Sequence, residues 1–218
     1  MPEKIFTYES EKIKVTWDKV KCIHAEECVK GLPDVFNADN RPWIQPENAD
    51  ADKVAEVIHR CPTGALQYER LDDGDNEKAP EKNTITLVED GPVYIEGDLL
   101  IKNLDGDVVA HETRAALCRC GLSQNKPYCD NSHIKGEWQC GVGYATDRLE
   151  LEKTDETGGE LNITIFPNAP FGIEGKYEMV GGDQRMNTAK KMSLCRCGAS
   201  QNKPFCDGSH KNVGFEAE

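Results

Sequence analysis

The chain has 218 residues, of which 38% are hydrophobic and 30% charged, and its formal net charge is −13. This acidic balance argues against nucleic-acid binding, which needs basic surface, and against docking on an anionic membrane. No apolar run approaches the length of a membrane span, and the first residues lack an apolar signal region, so we expect a cytoplasmic protein. In that compartment the ten cysteines are expected to stay reduced and to act as metal ligands rather than as disulfides.

The first part of the chain predicts short strands and one helix. Apolar residues alternate loosely over 4–20, and 42–46 reads as a further short strand between two prolines. A helix is predicted over 51–60, with Asp50 as its cap. Its apolar face recurs at helical spacing and consists of Val54, Val57, Ile58 and Cys61.

The stretch Cys-Pro-Thr-Gly-Ala-Leu, which begins at Cys61, resembles the Cys-Pro-Thr-Gly-Ala-Ile ending of bacterial ferredoxins. Those proteins hold a [4Fe-4S] cluster with a C-x2-C-x2-C run and a remote Cys-Pro. Here the run is C-x5-C, from Cys22 to Cys28, and Ala25 occupies the middle ligand position. The resemblance implies a divergent single-cluster ferredoxin-like domain over 1–70. The missing ligand implies a [3Fe-4S] cluster on the three cysteines.

Two alternatives stay open for this site. His24 or Glu26 supplies a fourth ligand to a [4Fe-4S] cluster, or the three cysteines are buried structural residues.

A polar and charged segment over 71–84 is predicted to be a linker. After it, a strand-rich unit occurs twice, over 85–150 and over 151–218. The pattern Pro-Val-Tyr-Ile-Glu-Gly, which begins at Pro92, matches Pro-Phe-Gly-Ile-Glu-Gly, which begins at Pro170. Two turns are predicted in the first unit, at Gly97-Asp98 and at Asp105-Gly106.

Each unit contains a C-x-C-x8-C-x3-H motif after its strands, and thirteen of the sixteen motif positions are identical. A cysteine and a histidine four residues apart lie on one face of a helical turn. Three thiolates and one imidazole suit either a tetrahedral zinc site or a [2Fe-2S] cluster with two ligands on each iron, and the spacing alone does not decide. The candidate ligands are Cys118, Cys120, Cys129 and His133 in the first motif, and Cys195, Cys197, Cys206 and His210 in the second.

The residues between these ligands resemble the CDGSH iron-sulfur family, because the second motif ends in Cys-Asp-Gly-Ser-His at 206–210. The resemblance implies one [2Fe-2S] cluster for each motif, held by three Cys and one His, and a pair of motifs related by a two-fold axis within the chain. In the first motif Asn131 replaces the glycine, and asparagine tolerates positive φ better than most residues. Asp130 is expected to begin the helical turn that carries His133.

Several residues near the motifs are given other roles. Cys140 has no counterpart in the second unit and is interpreted as a structural or incidental cysteine. His59 and His111 are interpreted as surface or capping residues. The basic residues of the motifs either offset cluster charge and donate to sulfur or are solvated; they are Arg119, Arg196, Lys126 and Lys203.

Together these patterns predict an α+β chain with a small ferredoxin-like domain followed by two β-rich CDGSH units that form an intrachain pseudo-two-fold pair. The predicted function is electron transfer by two [2Fe-2S] clusters and one [3Fe-4S] or [4Fe-4S] cluster. The alternatives are a cluster-transfer or redox and pH-sensing module, and a structural zinc protein. The expected partners are redox proteins or apo-acceptor proteins, with no nucleic acid or membrane. We expect a monomer without enzymatic activity.

Overall fold

The computed structural model describes residues 4–217, apart from the side chain of Arg148. The chain forms two compact units, Met1–Lys78 and Ala79–Glu218, and the division falls inside the segment that the sequence predicts to be a linker. Among the described residues, no helix has the length and apolar character needed to cross a membrane.

The first unit contains a three-stranded antiparallel sheet in the order β1-β2-β3. Two helices and a short 3-10 turn at Pro46–Asn48 lie between the second and third strands. The strands and helices are β1 (Ile5–Glu9), β2 (Ile13–Asp18), α1 (Glu27–Gly31), α2 (Ala51–His59) and β3 (Leu66–Arg70).

Helix α2 confirms the helix predicted over 51–60. Its face of Val54, Val57 and Ile58 is buried in one apolar cluster with Ile13 of β2. Burial of such side chains stabilises the unit by about 1.5–3 kcal/mol each. The predicted capping role of Asp50 is only half right, because its backbone oxygen accepts from the α2 backbone while its side chain makes no cap hydrogen bond.

The prediction of a short strand over 42–46 is wrong. Only an isolated bridge between Phe36 and Ile44 forms. Pro42 and Pro46 stand on either side of it, and because proline has no N–H to donate, a longer ladder is disfavoured there.

The second unit is built on one eight-stranded sheet that receives strands from both repeats. The strand order is β10-β9-β4-β5-β7-β8-β11, and β6 pairs with β5. Parallel pairs join β4 to β9 and β5 to β7, so strands of one repeat lie beside strands of the other. The strands are β4 (Thr84–Leu87), β5 (Val93–Asn103), β6 (Val108–Leu117), β7 (Glu160–Ile165), β8 (Phe171–Glu174), β9 (Tyr177–Gly181), β10 (Gln184–Thr188) and β11 (Met192–Leu194). The short helices are α3 (Ser132–Lys135) and α4 (Asp147–Glu150), and a 3-10 turn spans Ser209–Lys211.

The turn predicted at Gly97-Asp98 is wrong, because β5 continues through it. The pairing with β6 shifts register between Glu96 and Leu99, which marks a bulge. Gly97 has φ 149°, and a side chain at this position would collide with the amide of Asn83. That amide donates to the backbone oxygens of Gly159 (2.7 Å) and Lys176 (2.9 Å). The lack of a side chain at Gly97 therefore leaves space for hydrogen bonds that join distant segments of the chain. The turn predicted at Asp105-Gly106 does form, between β5 and β6.

The core side of this sheet consists of fully buried aliphatic residues from both repeats, including Ile85, Ile95, Leu99, Ile163 and Ile173. Two of its strands end directly before the cysteine motifs, β6 before Cys118 and β11 before Cys195. The architecture is thus sheet-rich with few helices, as the α+β prediction requires, and the sheet fixes where both motif loops start.

Candidate metal centres

Each motif loop is hydrogen-bonded back onto the strand that precedes it. The backbone N–H of Cys118 donates to Pro127 O (2.9 Å), and that of Cys129 donates to Ala116 O (2.8 Å). The second motif has the equivalent pairs, Cys195 to Pro204 and Cys206 to Ser193, both at 2.8 Å. The two ends of each motif are therefore held together at the end of a strand.

The candidate ligands of the first motif are arranged as two pairs. Cys118 Sγ lies 3.6 Å from Cys120 Sγ, and Cys129 Sγ lies 3.5 Å from His133 Nδ1. In the second motif the corresponding distances are 3.7 Å for Cys195 and Cys197, and 3.4 Å for Cys206 and His210. A tetrahedral metal with bonds of about 2.3 Å to sulfur and about 2.0 Å to nitrogen separates two sulfurs by about 3.8 Å and a sulfur from a nitrogen by about 3.5 Å. Each pair thus has the spacing of two ligands on one metal.

The two pairs of a motif do not merge into one larger set. Over residues 4–217, no three Cys, His, Asp or Glu side chains converge closely enough to hold a single metal ion. All ten cysteines are free thiols, and those of the first motif are buried. Among the described residues, the donors of each motif are thus arranged as two separate pairs.

Backbone N–H groups point at three of the candidate ligand sulfurs. Leu122 N donates to Cys120 Sγ, Asn131 N to Cys129 Sγ, and Gly208 N to Cys206 Sγ, each at 3.4 Å. Such donors stabilise a thiolate and a metal-bound sulfur.

Burial makes the thiolates of these cysteines dependent on a compensating charge. It raises the pKa of Cys129 to about 11. Within the first pair, the hydrogen bond with Cys120 lowers the pKa of Cys118 to about 6 and raises that of Cys120. A bound cation supplies the positive charge that lets all these sulfurs be thiolates together, so the residues fit an iron-sulfur group.

Asp130 accepts a hydrogen bond at the start of the turn that carries His133, but the N-cap of α3 is Asn131, so the predicted capping role is only partly right. Asp130 Oδ1 accepts from Ser132 N (3.0 Å), and Asp130 Oδ2 accepts from Gln124 N (2.8 Å). Asp207 accepts the same two bonds in the second motif, and the side-chain hydrogen bond of Ser209, together with these backbone bonds, holds the pKa of Asp207 well below the usual range. One carboxylate in each motif thus ties the Cys-His end to the middle of the loop.

The residue after this aspartate adopts a left-handed conformation in both motifs. Asn131 has φ 66° and Gly208 has φ 92°. The expectation that asparagine replaces the family glycine without changing the backbone is confirmed.

The motif lysines donate to backbone oxygens of their own loops. Lys126 Nζ donates to Ser123 O (2.6 Å), and Lys203 Nζ donates to Ser200 O (2.5 Å). Each ammonium thus donates at least one hydrogen bond within its own motif loop, and the suggestion that these lysines also donate to cluster sulfides stays a prediction.

The motif arginines are buried and not solvated. Arg119 is 5% exposed, and its Nε donates to Gly91 O (2.9 Å) while its Nη2 donates to Val88 O. Arg196 is 2% exposed and donates to the turn before β8, through Phe166 O (2.8 Å) and Ala169 O (3.3 Å).

Each arginine also lies near the other motif, which the sequence did not indicate. Burial lowers the pKa of Arg196 to about 10, and the charge of Cys118 opposes this change. Burial likewise lowers the pKa of Arg119, with Cys195 among the opposing charges. The signal that sequence reasoning lacked is the way the two loops approach each other in space.

The N-terminal candidate ligands Cys22, Cys28 and Cys61 are half-buried and line a cavity of about 360 Å³ together with Ala25. Burial, and next the charge of Cys61, raise the pKa of Cys28 to about 11. Trp17 lines the same cavity, and among the described residues its buried Nε1 has no hydrogen-bond partner. Three thiols and an unpartnered N–H donor fit a sulfide-bearing cluster.

The two residues that flank Ala25 line the same cavity as the three cysteines. Glu26 Oε2 lies 2.8 Å from Lys30 Nζ, and this partner lowers its pKa. His24 is exposed, with φ 55°. Glu26 is thus engaged by Lys30, while both residues stay at the cavity that the three cysteines line.

The remaining histidines lie outside these sites. His59 Nε2 is 3.1 Å from Tyr68 OH, and His111 Nε2 is 2.6 Å from Asp98 Oδ1. Both are exposed, which fits the interpretation of surface residues.

Comparison with known proteins extends over both units. A family profile described as "Divergent 4Fe-4S mono-cluster" matches residues 8–71. A second, described as "Iron-binding zinc finger CDGSH type", matches twice, over 90–134 and 168–211. The three matches contain all eleven candidate ligands.

Two relatives are "Uncharacterized protein YjdI" of Escherichia coli strain K12 and its counterpart in Escherichia coli O157:H7. Each is 43% identical to this chain over 61 residues, which is 28% of the chain and 80% of the relative. No solved structure matches the chain significantly.

The folds and sites define a protein with iron-sulfur binding domains. The chain carries a divergent 4Fe-4S mono-cluster domain, followed by two CDGSH-type iron-binding repeats.

Proposed function

We propose that this chain is an electron carrier with three iron-sulfur clusters. Each motif holds one [2Fe-2S] cluster with its three Cys and one His, and Cys22, Cys28 and Cys61 hold a [3Fe-4S] cluster. When bound, such clusters supply one-electron redox chemistry. The observation that carries the proposal is the arrangement of each motif's four ligands as two separate pairs.

This pairing favours a binuclear cluster over zinc. A structural Cys3His zinc site needs all four ligands around one ion. Here each pair is spaced for its own metal, while no three donors of residues 4–217 share a position. A binuclear cluster, with one pair of ligands on each iron, accounts both for the spacing within each pair and for the separation of the two pairs.

The proposed [3Fe-4S] cluster rests on the empty ligand position at Ala25. Three cysteines line the cavity, and Glu26, the adjacent carboxylate, is paired with Lys30. The matching family is described as binding a 4Fe-4S cluster, so a fourth iron held without a protein thiolate is the alternative at this site.

The pseudo-two-fold relation of the repeats is also proposed. In the parallel pair β4–β9, Thr84 lies opposite Glu178, and in the pair β5–β7, Leu100 lies opposite Asn162. The alignment of the sequence repeats, from Pro92 and Pro170, makes Thr84 equivalent to Asn162 and Leu100 equivalent to Glu178. Equivalent residues thus exchange places between the two pairs, as a two-fold axis requires, and this supports a monomer that carries both halves of a symmetric cluster pair.

Cluster transfer is a second candidate function, favoured by one observation. Cys118 and Cys195 are buried, whereas His133 and His210 at the other end of each motif are half-exposed. An acceptor protein would therefore reach the His end first. Incubation with an apo-ferredoxin distinguishes the roles: a carrier keeps its iron, and a donor loses the [2Fe-2S] iron to the acceptor.

We propose no catalysis by the chain itself, and we place it in the cytoplasm. Its net charge of −13 suits redox partners or apo-acceptors with a basic docking face.

Metal analysis tests the proposed composition. The purified chain should contain about seven irons, two for each binuclear cluster and three for the third. Acid-labile sulfide should accompany the iron. Stoichiometric zinc with little iron would overturn the proposal. A content of about eight irons would overturn only the assignment of a three-iron cluster to the N-terminal site, in favour of a four-iron cluster.

A further inference from the structure

The open end of the β1–β2 hairpin lies directly before the N-terminal candidate ligands. Strand β2 ends at Asp18, a turn covers 19–21, and Cys22 follows it. On the neighbouring strand, Lys4 lies opposite Lys19, because the backbone N–H of Lys19 donates to Lys4 O (3.0 Å). The two lysines therefore lie at the same end of the sheet as the first candidate ligand.

An exposed aromatic ring stands beside this pair of lysines. Phe6 is 46% exposed, and it lies opposite Trp17 in the register of β1 and β2. The centroids of the two rings are 5.5 Å apart. Trp17 in turn lines the same cavity as Cys22, Cys28 and Cys61. The Phe6 ring therefore offers an apolar contact that is one side chain away from the cavity of the N-terminal site.

The surface at this end of the hairpin is basic, although the chain as a whole is acidic. Lys4 and Lys19 are exposed, and Lys21 follows in the same turn. Val20, between the last two lysines, is 41% exposed. Asp18, the adjacent carboxylate, accepts from the backbone N–H groups of Val20 (2.8 Å) and Lys21 (3.3 Å), so it is engaged within the turn. Apolar residues bordered by charges of one sign have the composition of a docking surface for a protein of the opposite sign.

We propose that this surface docks an acidic one-electron carrier, a small ferredoxin with a face rich in carboxylates. The surface is called the basic face here, and it consists of Lys4, Phe6, Lys19, Val20 and Lys21. Its lysines pair with carboxylates of the carrier, while Phe6 and Val20 pack against the apolar centre of the carrier's face. That the partner is a redox protein rests on the proposed function, because docking here brings its redox centre close to the N-terminal cavity. The charge of this partner is opposite to that expected from the net charge of −13.

Calorimetric titration of the full chain with an acidic plant-type [2Fe-2S] ferredoxin tests the basic face. At about 0.1 M salt, Lys19→Glu should raise the Kd at least about ten-fold, and at about 1 M salt the difference should fall below about two-fold, because the screening length shrinks from about 10 Å to about 3 Å. The wild-type chain should bind measurably at the lower salt concentration. A chain that does not bind would overturn the proposal.

Lys12→Glu is the matched control. Lys12 is exposed in the turn between β1 and β2, at the other end of the hairpin and about 20 Å from Lys19. The variant changes the net charge of the chain by the same amount, and it should change the Kd less than about two-fold at about 0.1 M salt. Equal weakening by the two variants would show that net charge alone governs binding, and it would overturn the proposed location.

Phe6→Ser tests the apolar centre of the basic face. It should weaken binding several-fold at both salt concentrations, because salt does not screen an apolar contact. An unchanged Kd in this variant would overturn the contact with Phe6.

Iron analysis and reduction of a cytochrome c by the dithionite-reduced chain separate this inference from the proposed function. A chain that holds iron and reduces the cytochrome, but binds the ferredoxin equally well as wild type and as Lys19→Glu, would overturn the docking surface alone. A chain without iron that still shows the effect of Lys19→Glu would overturn the proposed electron transfer and retain the docking surface.

Discussion

Gly121 of the first motif lies against the backbone oxygen of Cys197 in the second, so closely that a Cβ on the glycine would stand 2.6 Å from it. Gly198 of the second motif approaches the backbone oxygen of Cys120 in the same manner. The two motif loops thus pack backbone to backbone, each through a glycine directly after its second cysteine. Both glycines have positive φ, at 80° and 75°.

Gly121→Ala should therefore destabilise the chain by about 2–4 kcal/mol, because it combines a left-handed backbone with an overlap that forces the loops apart. Urea unfolding followed by circular dichroism measures the change. The matched control is Gly106→Ala, where φ is 90° but no atom lies within 4 Å of the new Cβ, and the expected loss is about 1–2 kcal/mol. Equal losses in the two variants would show that the close approach of the loops contributes nothing.

The proximity of each arginine to the opposite motif predicts crossed effects on reduction potential. Removing a buried positive charge favours the oxidised, less negative cluster, so Arg196→Gln should lower the potential of the first-motif centre more than that of the second. Arg119→Gln should do the reverse. Shifts of tens of millivolts are expected, since about 59 mV corresponds to a ten-fold change in the equilibrium constant of a one-electron couple. Potentiometric titration measures both centres, and Lys126→Gln serves as a control, because that ammonium bonds to a loop carbonyl. Shifts confined to the centre of the mutated motif would contradict the crossed arrangement.

Acid should release the first-motif cluster through His133. Burial lowers the pKa of this imidazole from its ordinary value of about 6.5. The pKa of His133 is lower in the folded chain than in the unfolded chain. The stability that neutral His133 contributes to the folded chain is therefore fully present above about pH 6.5, and it is lost as the pH falls through the pKa of the folded state. Protons compete with iron for the same ring. The visible absorbance should bleach over this range, and His133→Cys should slow the bleaching of that centre. The exposed His111→Cys is the control, and equal bleaching of wild type and His133→Cys would contradict this role.

Ala25 provides a test of the N-terminal site. A thiolate at this position completes a C-x2-C-x2-C run within the cavity lined by Cys22, Cys28 and Cys61. Ala25→Cys should convert the three-iron cluster into [4Fe-4S] after anaerobic reconstitution and raise the iron content by about one atom per chain. Val29→Cys, which also adds a thiol to the cavity lining, is the control and should leave the iron content unchanged. A wild type that already holds four irons at this site would show that Ala25 does not mark an empty position.

The sequence predicted features that depend on neighbours in the chain. The helix α2, the hydrogen bond that Asp130 accepts in the turn that carries His133 and the positive φ of Asn131 all follow from local spacing and side-chain chemistry. The role of Gly97 could not be predicted locally, since a turn and a bulge both favour glycine, and the choice depends on Asn83 and its partners in a distant segment.

The two motif arginines show the same limit of prediction from local sequence. Spacing placed Arg119 and Arg196 between ligands, but their burial depends on how the turns before β5 and β8 fold over them. Their nearness to the opposite motif depends on the contact of two loops that are far apart in the sequence. The arrangement of ligands in pairs was expected from the family resemblance, and the distances now give it a geometric basis.

The most direct test of the three-cluster account is EPR spectroscopy of the purified chain, as isolated and after reduction with dithionite. The account predicts an isotropic signal near the free-electron value before reduction, from the three-iron cluster, and [2Fe-2S] signals of about two spins per chain after reduction. A protein that is silent in both states and carries stoichiometric zinc would contradict it.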